Sequence, residues 1–201
     1  MTHPLLASLN PQQYEAVVTT DGPLLVVAGA GSGKTRVITH RIAYLIEEKG
    51  VAPWQICAAT FTNKAAEEMR SRIGRMVPGS DLARLTVATF HSICVGILRR
   101  EANFAGLTPR FTICDDTDQI ALIKDCLRNL ADRSISVKPE EVRSWIGAAK
   151  IKMYSPEEAR REMPSDHGPL CAQVYEQYQK RLLANDAVDF DDLLMVVVDI
   201  F

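Results

Sequence analysis

In its first half the chain alternates short, continuous apolar runs with longer stretches of helical periodicity. Leu24 to Val27 is the first run, and Ile38, Ile42, Leu45 and Ile46 follow it at helical spacing up to Gly50. Ile56 to Phe61 is the second and leads into Ala66, Met69 and Ile73. Leu85 to Phe90 is the third and leads into Cys94, Ile97 and Leu98. Runs this short suit buried strands, and an amphipathic helix after each supplies the crossover that parallel strands need. The pattern predicts an α/β fold, a parallel sheet with helices on both faces.

From about Phe111 the pattern changes to helices without intervening strands. Asp115-Asp116-Thr117-Asp118 offers caps for a helix bearing Ile120, Ile123 and Leu127, and Pro139 opens another with Val142, Trp145, Ile146 and Ala149. Ser155-Pro156-Glu157-Glu158 starts a third, and Leu170, Val174, Tyr178 and Leu182 form the stripe of a fourth. This block is expected to be an all-helical insertion after the third strand and helix. Its basic residues Arg143, Lys150 and Lys152 are expected on a solvated helix face, with contact to nucleic acid as the other reading.

Composition narrows the class without naming it. The 201 residues are 47% hydrophobic and 24% charged, ordinary values for a globular chain with a real core. A formal charge of −2 gives no global basic field, so any nucleic-acid contact has to come from a local patch. Cys57, Cys94, Cys114, Cys126 and Cys171 are widely spaced, as expected of reduced, mostly buried thiols in a cytoplasmic protein. No apolar run approaches the roughly 18 residues of a membrane span, and no N-terminal leader is apparent.

The chemistry is concentrated in Ala28-Gly29-Ala30-Gly31-Ser32-Gly33-Lys34-Thr35, set between the first apolar run and the first helix. Strand, glycine-rich turn and helix are the setting of a phosphate-binding loop. Small residues let successive backbone N–H groups curl around phosphate oxygens, and the helix N-terminus adds partial positive charge. Lys34 then reaches the β- and γ-phosphates of a nucleotide, and the Thr35 hydroxyl ligates Mg²⁺. Ala28 stands where the strict pattern has glycine, which costs little if its φ is negative.

The second and third runs end alike, as Ala59-Thr60-Phe61-Thr62-Asn63 and Ala88-Thr89-Phe90-His91-Ser92. In a parallel sheet both endings project from the carboxyl edge, where ligands bind. Hydroxyls, amides, an imidazole and an aromatic ring on that edge can hold a phosphodiester backbone and stack a base. Each residue alone has a plainer role: Phe61 and Phe90 in the core, Thr62 and Ser92 as helix caps.

Phosphate-loop enzymes hold Mg²⁺ with a second acidic site at a strand end, and Met195 to Asp199 imitates one. Phe190, Leu193, Leu194, Val197 and Phe201 nevertheless recur at helical spacing, with Asp189, Asp191 and Asp192 placed for a helix N-terminus. The segment is therefore expected to be a helix, and the second acidic site to be missing from a chain that is a fragment of a longer enzyme.

These motifs together resemble the UvrD/Rep/PcrA-type superfamily 1 DNA helicases. The resemblance is carried in order by Leu9 to Gln13, Ala28 to Arg36, Thr60 to Ala66, Thr86 to Ser92 and Asp189 to Leu194, and alanine at position 28 is usual in that family. It implies a P-loop NTPase (RecA-like) core over 1–110, incomplete here, a helical inserted subdomain over 111–186, and a helix returning to the core over 187–201. It implies ATP and Mg²⁺ as cofactors. Gln13 would recognise adenine, Ala28, Gly29, Ala30, Gly31, Ser32, Gly33, Lys34 and Thr35 would hold the phosphates and metal, and Arg36 would flank the base. Phe61, Thr62, Asn63 and Lys64, with Thr89 and His91, would meet single-stranded DNA. The implied activity is 3′-to-5′ translocation and unwinding at single-strand/duplex junctions, in DNA repair or replication. The motor of a recombination helicase–nuclease, or a nucleotide-gated binding module without motor activity, are the other readings. The Asp-Glu metal motif, the arginine finger and the second wall of the cleft would lie beyond Phe201, so these residues alone are expected to bind ATP weakly and hydrolyse it negligibly.

Overall fold

The computed structural model describes residues 4–130 and 137–201; residues 1–3 and 131–136, which fall within the first two expected segments, lie outside it. The chain separates into two compact units, Met1–Ile93 and Cys94–Phe201.

The first unit contains α1 (Pro11–Val18), α2 (Lys34–Glu47), β1 (Cys57–Thr60), α3 (Asn63–Met76) and β2 (Thr86–Thr89), and α4 (Phe90–Arg100) begins in it. β1 and β2 pair in parallel, with Cys57 opposite Thr86 and Thr60 opposite Thr89. Ala58 and Val87 point inward, joined in the core by Ile42 and Ala43 of α2 and by Ala66, Met69 and Ile73 of α3. Those are the periodic positions that predicted the two helices. Outward-facing Cys57, Ala59 and Thr86 are exposed, so among the described residues helices cover one face of this sheet and not both. Small and polar side chains on that face bury little apolar area and give a helix little to pack against. Arg70 of α3 donates to the carbonyl of Val87 at 2.8 Å. The neighbouring Thr86 N–H is turned toward β1, which puts the Val87 carbonyl on the outer edge.

Leu24 to Val27 corrects another expectation, because the segment is not a strand. A strand is defined by its ladder, and no described strand pairs with this run. Exposure still alternates along it, with Leu25 at 86% and Val27 at 88% against about half that for Leu24 and Val26. Leu24 and Val26 face Val37, Ile38 and Arg41 of α2 across a pocket of about 290 Å³.

The second unit takes in most of α4, then β3 (Thr112–Cys114), α5 (Asp116–Leu130), α6 (Pro139–Ile151), α7 (Pro156–Glu162), α8 (Gly168–Ala184), β4 (Ala187–Asp189) and α9 (Phe190–Ile200). The four expected helices are present. Asp115 caps α5 by accepting from the N–H groups of Thr117 and Asp118, and Ser155 with Glu158 forms a capping box on α7. Ile123, Val142, Ile146, Val174, Tyr178 and Leu182 meet in one core. The expectation of helices alone from Phe111 onward fails at its two ends, where β3 and β4 pair in parallel and Thr112 lies opposite Ala187. Runs of three residues are too short for hydrophobic periodicity to mark them. Asp186, at the positive φ of 48°, holds this junction closed: its carbonyl accepts from Thr112 N–H, and its carboxylate accepts from the N–H and hydroxyl of Thr108.

Lys150 is the largest departure from the sequence reading. Its side chain is 0% exposed, and its ammonium lies 2.6 Å from Asp189 Oδ2 and 2.7 Å from Asp192 Oδ1. Tyr178 donates its hydroxyl to Asp189 at 2.8 Å, and Gln179 donates to Asp192 at 3.1 Å. The two aspartates are also the capping box of α9, each accepting the other's backbone N–H. Two buried carboxylates thus share one lysine and the positive end of a helix. Arg143 and Lys152 keep to the surface expectation, Arg143 paired with Asp116 at 2.8 Å and Lys152 over the Tyr154 ring.

The two acids titrate in opposite directions. Burial opposes ionisation of Asp189, but Lys150, the Asp192 N–H and Tyr178 outweigh it and hold the carboxyl below its ordinary range. Burial pushes Asp192 up, the charge of Asp189 adds to the push, and Lys150 offsets only part of it. A depressed Asp189 contributes stability that is present above its unfolded value of 3.8 and lost as pH falls through the folded one. A raised Asp192 contributes stability that is present below 3.8 and lost as pH rises through its folded value. Urea midpoints measured from about pH 2 to 7 are therefore expected to respond to the two acids in separate windows, Asp189 below 3.8 and Asp192 above it. Asp189→Asn should lose stability relative to the parent as pH rises toward 3.8, and Asp192→Asn should gain it as pH rises above 3.8. Parallel slopes would contradict this assignment.

Candidate functional site

The candidate phosphate loop, Ala28 to Thr35, is built by two left-handed glycines. Gly31 has φ 74° and Gly33 has φ 89°, a region that side chains with a Cβ rarely enter. Gly33 is the N-cap of α2 and makes no side-chain cap, so the first N–H groups of the helix are left for a ligand. A Cβ added at Gly29 or Gly31 would meet nothing within 4 Å, so there is open space beside both glycines. Open space, uncapped N–H donors and an adjacent ammonium suit the oxygens of a polyphosphate. Lys34 turns back over the loop and donates to the carbonyls of Ala28 at 3.0 Å and Gly29 at 2.7 Å. Thr35 is exposed on the first turn of α2.

Gln13 stands against this loop. Its side-chain nitrogen donates to the Ser32 carbonyl at 3.1 Å, and its oxygen accepts from Asn10 N–H at 3.2 Å. Asn10 in turn caps α1 by accepting from Gln13 N–H at 2.8 Å. The Asn-x-x-Gln spacing is the sequence signal of this helix start, a capping box not among the expected ones. Arg36 donates to the Ser8 carbonyl at 2.9 Å, tying the segment before α1 to α2. Arg41, also not among the expected residues, donates to the carbonyls of Ala16 and Thr19 and closes the end of α1.

The two similar endings lie side by side, because β1 and β2 stop in register at Thr60 and Thr89. Phe61 projects from the first and is 96% exposed, which removes it from the core. Phe90 is also exposed, and His91 lies on the exposed first turn of α4. Thr62 caps α3 by accepting from Ala65 N–H at 3.2 Å, and Asn63 and Lys64 follow on its exposed first turn. Thr89 plays the same part for α4, accepting from Ser92 N–H at 3.2 Å with the Ser92 hydroxyl 2.8 Å away. Thr60, not singled out from the sequence, donates its hydroxyl to the Thr62 carbonyl at 3.1 Å and lies 3.5 Å from the Ala88 carbonyl. The Met195 to Asp199 imitation of an acidic strand lies within helix α9, as its periodicity indicated.

No helix among the described residues is long and apolar enough to cross a membrane. The model of the UvrD/REP helicase N-terminal domain matches residues 9–201. Similar proteins include the ATP-dependent DNA helicase PcrA of Staphylococcus epidermidis, 49% identical over 200 residues, which is 98% of this chain and 27% of that protein. PcrA of Staphylococcus aureus matches with the same identity and coverage. The chain thus spans about a quarter of the length of these curated relatives. A match running from just before α1 to Phe201 takes in the phosphate loop, both strand endings and the α9 cap, and the chain belongs to the UvrD/REP helicase N-terminal domain family.

Proposed function

We propose that this chain forms the ATP-binding part of a DNA motor that moves 3′ to 5′ on single-stranded DNA and opens duplexes at single-strand junctions. The observation that carries the reading is the pairing, within one unit, of an uncapped phosphate loop with two in-register strand endings from which Phe61 projects into solvent. Phosphate oxygens of ATP fit the donors of the loop, with Lys34 moving from the Ala28 and Gly29 carbonyls to the β- and γ-phosphates. Gln13, already aligned beside Ser32, reads the adenine edge, and Arg36 flanks the base. The Thr35 hydroxyl would ligate Mg²⁺, which would supply neutralisation of phosphate charge. Single-stranded DNA lies along Thr62, Asn63, Lys64, Thr89 and His91 and stacks a base on Phe61.

The PcrA relatives are named ATP-dependent DNA helicases, which supports the same assignment here. Place of action in the cytoplasm and a role in DNA repair or replication belong to this proposal. So does weak ATP binding with negligible hydrolysis by the 201 residues alone; robust turnover by that chain would overturn it. For the motor itself, ATP hydrolysis by the full-length gene product is measured with and without single-stranded DNA. Strong stimulation is expected, and its absence would sink the motor reading.

Replacing Phe61 gives a residue-level check. Phe61→Ala is expected to weaken single-strand binding by about 1–3 kcal/mol, the worth of one base stacked on a ring. Because the ring is almost wholly exposed, the melting temperature should hardly change. A loss of stability with unchanged DNA affinity would return Phe61 to a packing role.

A further inference from the structure

We infer that Thr60 is a positioning residue that sets the Phe61 ring in place for DNA; the inference rests on the reading of Phe61 as a stacking platform. Phe61 lies between β1 and the first turn of α3, beyond the last rung of the β1–β2 ladder. Packing does not hold it, since the side chain is 96% exposed. Its backbone is instead bracketed. On its C-terminal side Thr62 is fixed as the N-cap of α3 through Ala65 N–H. On its N-terminal side Thr60 donates its hydroxyl across Phe61 to the Thr62 carbonyl at 3.1 Å, closing a small ring with Phe61 at its apex.

The same oxygen lies 3.5 Å from the Ala88 carbonyl, one residue before the end of β2. A hydroxyl has one proton, so the Thr62 carbonyl is its partner and Ala88 a weaker second attraction. Thr60 thus stands where both endings can be held at a fixed spacing, opposite Thr89 in the register. Its β-branched side chain has few rotamers in a strand, which keeps the hydroxyl aimed. An exposed ring whose backbone is already set loses less freedom when a base stacks on it, and the hydroxyl therefore contributes to affinity without touching DNA.

Binding of a fluorescein-labelled oligothymidylate to the full-length gene product tests this by anisotropy. Thr60→Val keeps the shape and removes the donor, and it is expected to weaken binding by about three- to tenfold, the range of one neutral hydrogen bond. Thr60→Ser restores the donor on a less constrained side chain and should recover most of the affinity lost in Thr60→Val. Thr60→Ser against Thr60→Ala repeats the comparison with the methyl gone from both, so it remains decisive if the valine variant folds poorly. In a Phe61→Ala background Thr60→Val should have no further effect, because the ring it positions is absent. Normal affinity for Thr60→Val beside a weakened Phe61→Ala would overturn the positioning role and leave stacking intact. Additive losses would also overturn it. Normal affinity for Phe61→Ala would overturn the stacking reading itself, and the positioning role with it.

Discussion

Lys150→Met is expected to destabilise the fold by about 3–5 kcal/mol, the cost of stripping the partner from a buried charge. Methionine keeps the apolar stem and leaves little cavity, so most of the loss is electrostatic. Asp189 and Asp192 would remain buried beside each other with Tyr178, Gln179 and two backbone N–H groups as their donors among the described residues. Urea unfolding followed by near-ultraviolet circular dichroism suits the measurement, because Tyr175 and Tyr178 lie within 6 Å of the ammonium and report its surroundings. Adding Asp192→Asn to Lys150→Met removes one of the stranded charges and should recover part of the loss. A change below about 1 kcal/mol would mean that water reaches the cluster, as it does for ordinary surface pairs.

The second large effect concerns chemistry. Lys34→Ala is expected to lower the DNA-stimulated ATPase rate of the full-length gene product by about 10²–10³-fold, as removal of one preorganised transition-state contact does. Stability should change little, since Lys34 is exposed and its partners, the Ala28 and Gly29 carbonyls, lie at the surface where water can replace it. Steady-state hydrolysis at saturating ATP separates the effect on rate from the effect on binding. Activity within tenfold of the parent would remove Lys34 from its proposed place on the phosphates.

What could be read from the sequence was whatever is local. Asp115, Ser155, Thr62 and Asp189 were marked as caps by residue type and spacing, and each accepts the backbone N–H its position requires. Ala66, Met69 and Ile73 lie at the core positions their periodicity assigned. Lys150 was misread because charge and helical position say nothing about what a distant segment brings. Only β4 and α9, packed beside α6, supply the carboxylates that make burial tolerable. Leu24 to Val27 was misread for the opposite reason: apolar composition marks a segment that can join a sheet, but the ladder depends on a neighbour. At the candidate site the motif residues were legible, whereas the side-chain bridges of Gln13 to Ser32 and Thr60 to Thr62 needed the fold.

The pairing of β3 with β4 also dictates an order of assembly. Thr112 and Ala187 meet across an excursion on the order of 70 residues, and tying off a loop of that length in an unfolded chain costs roughly 4 kcal/mol. A ladder of three residues on each side cannot offset that cost by itself. Contacts of short range have no such handicap, so α5 to α8 should collapse on one another first and bring the two ends together. The Asp186 clip on Thr108 and the Lys150 bridge to α9 then close late, and substitutions there should act mainly on the unfolding rate.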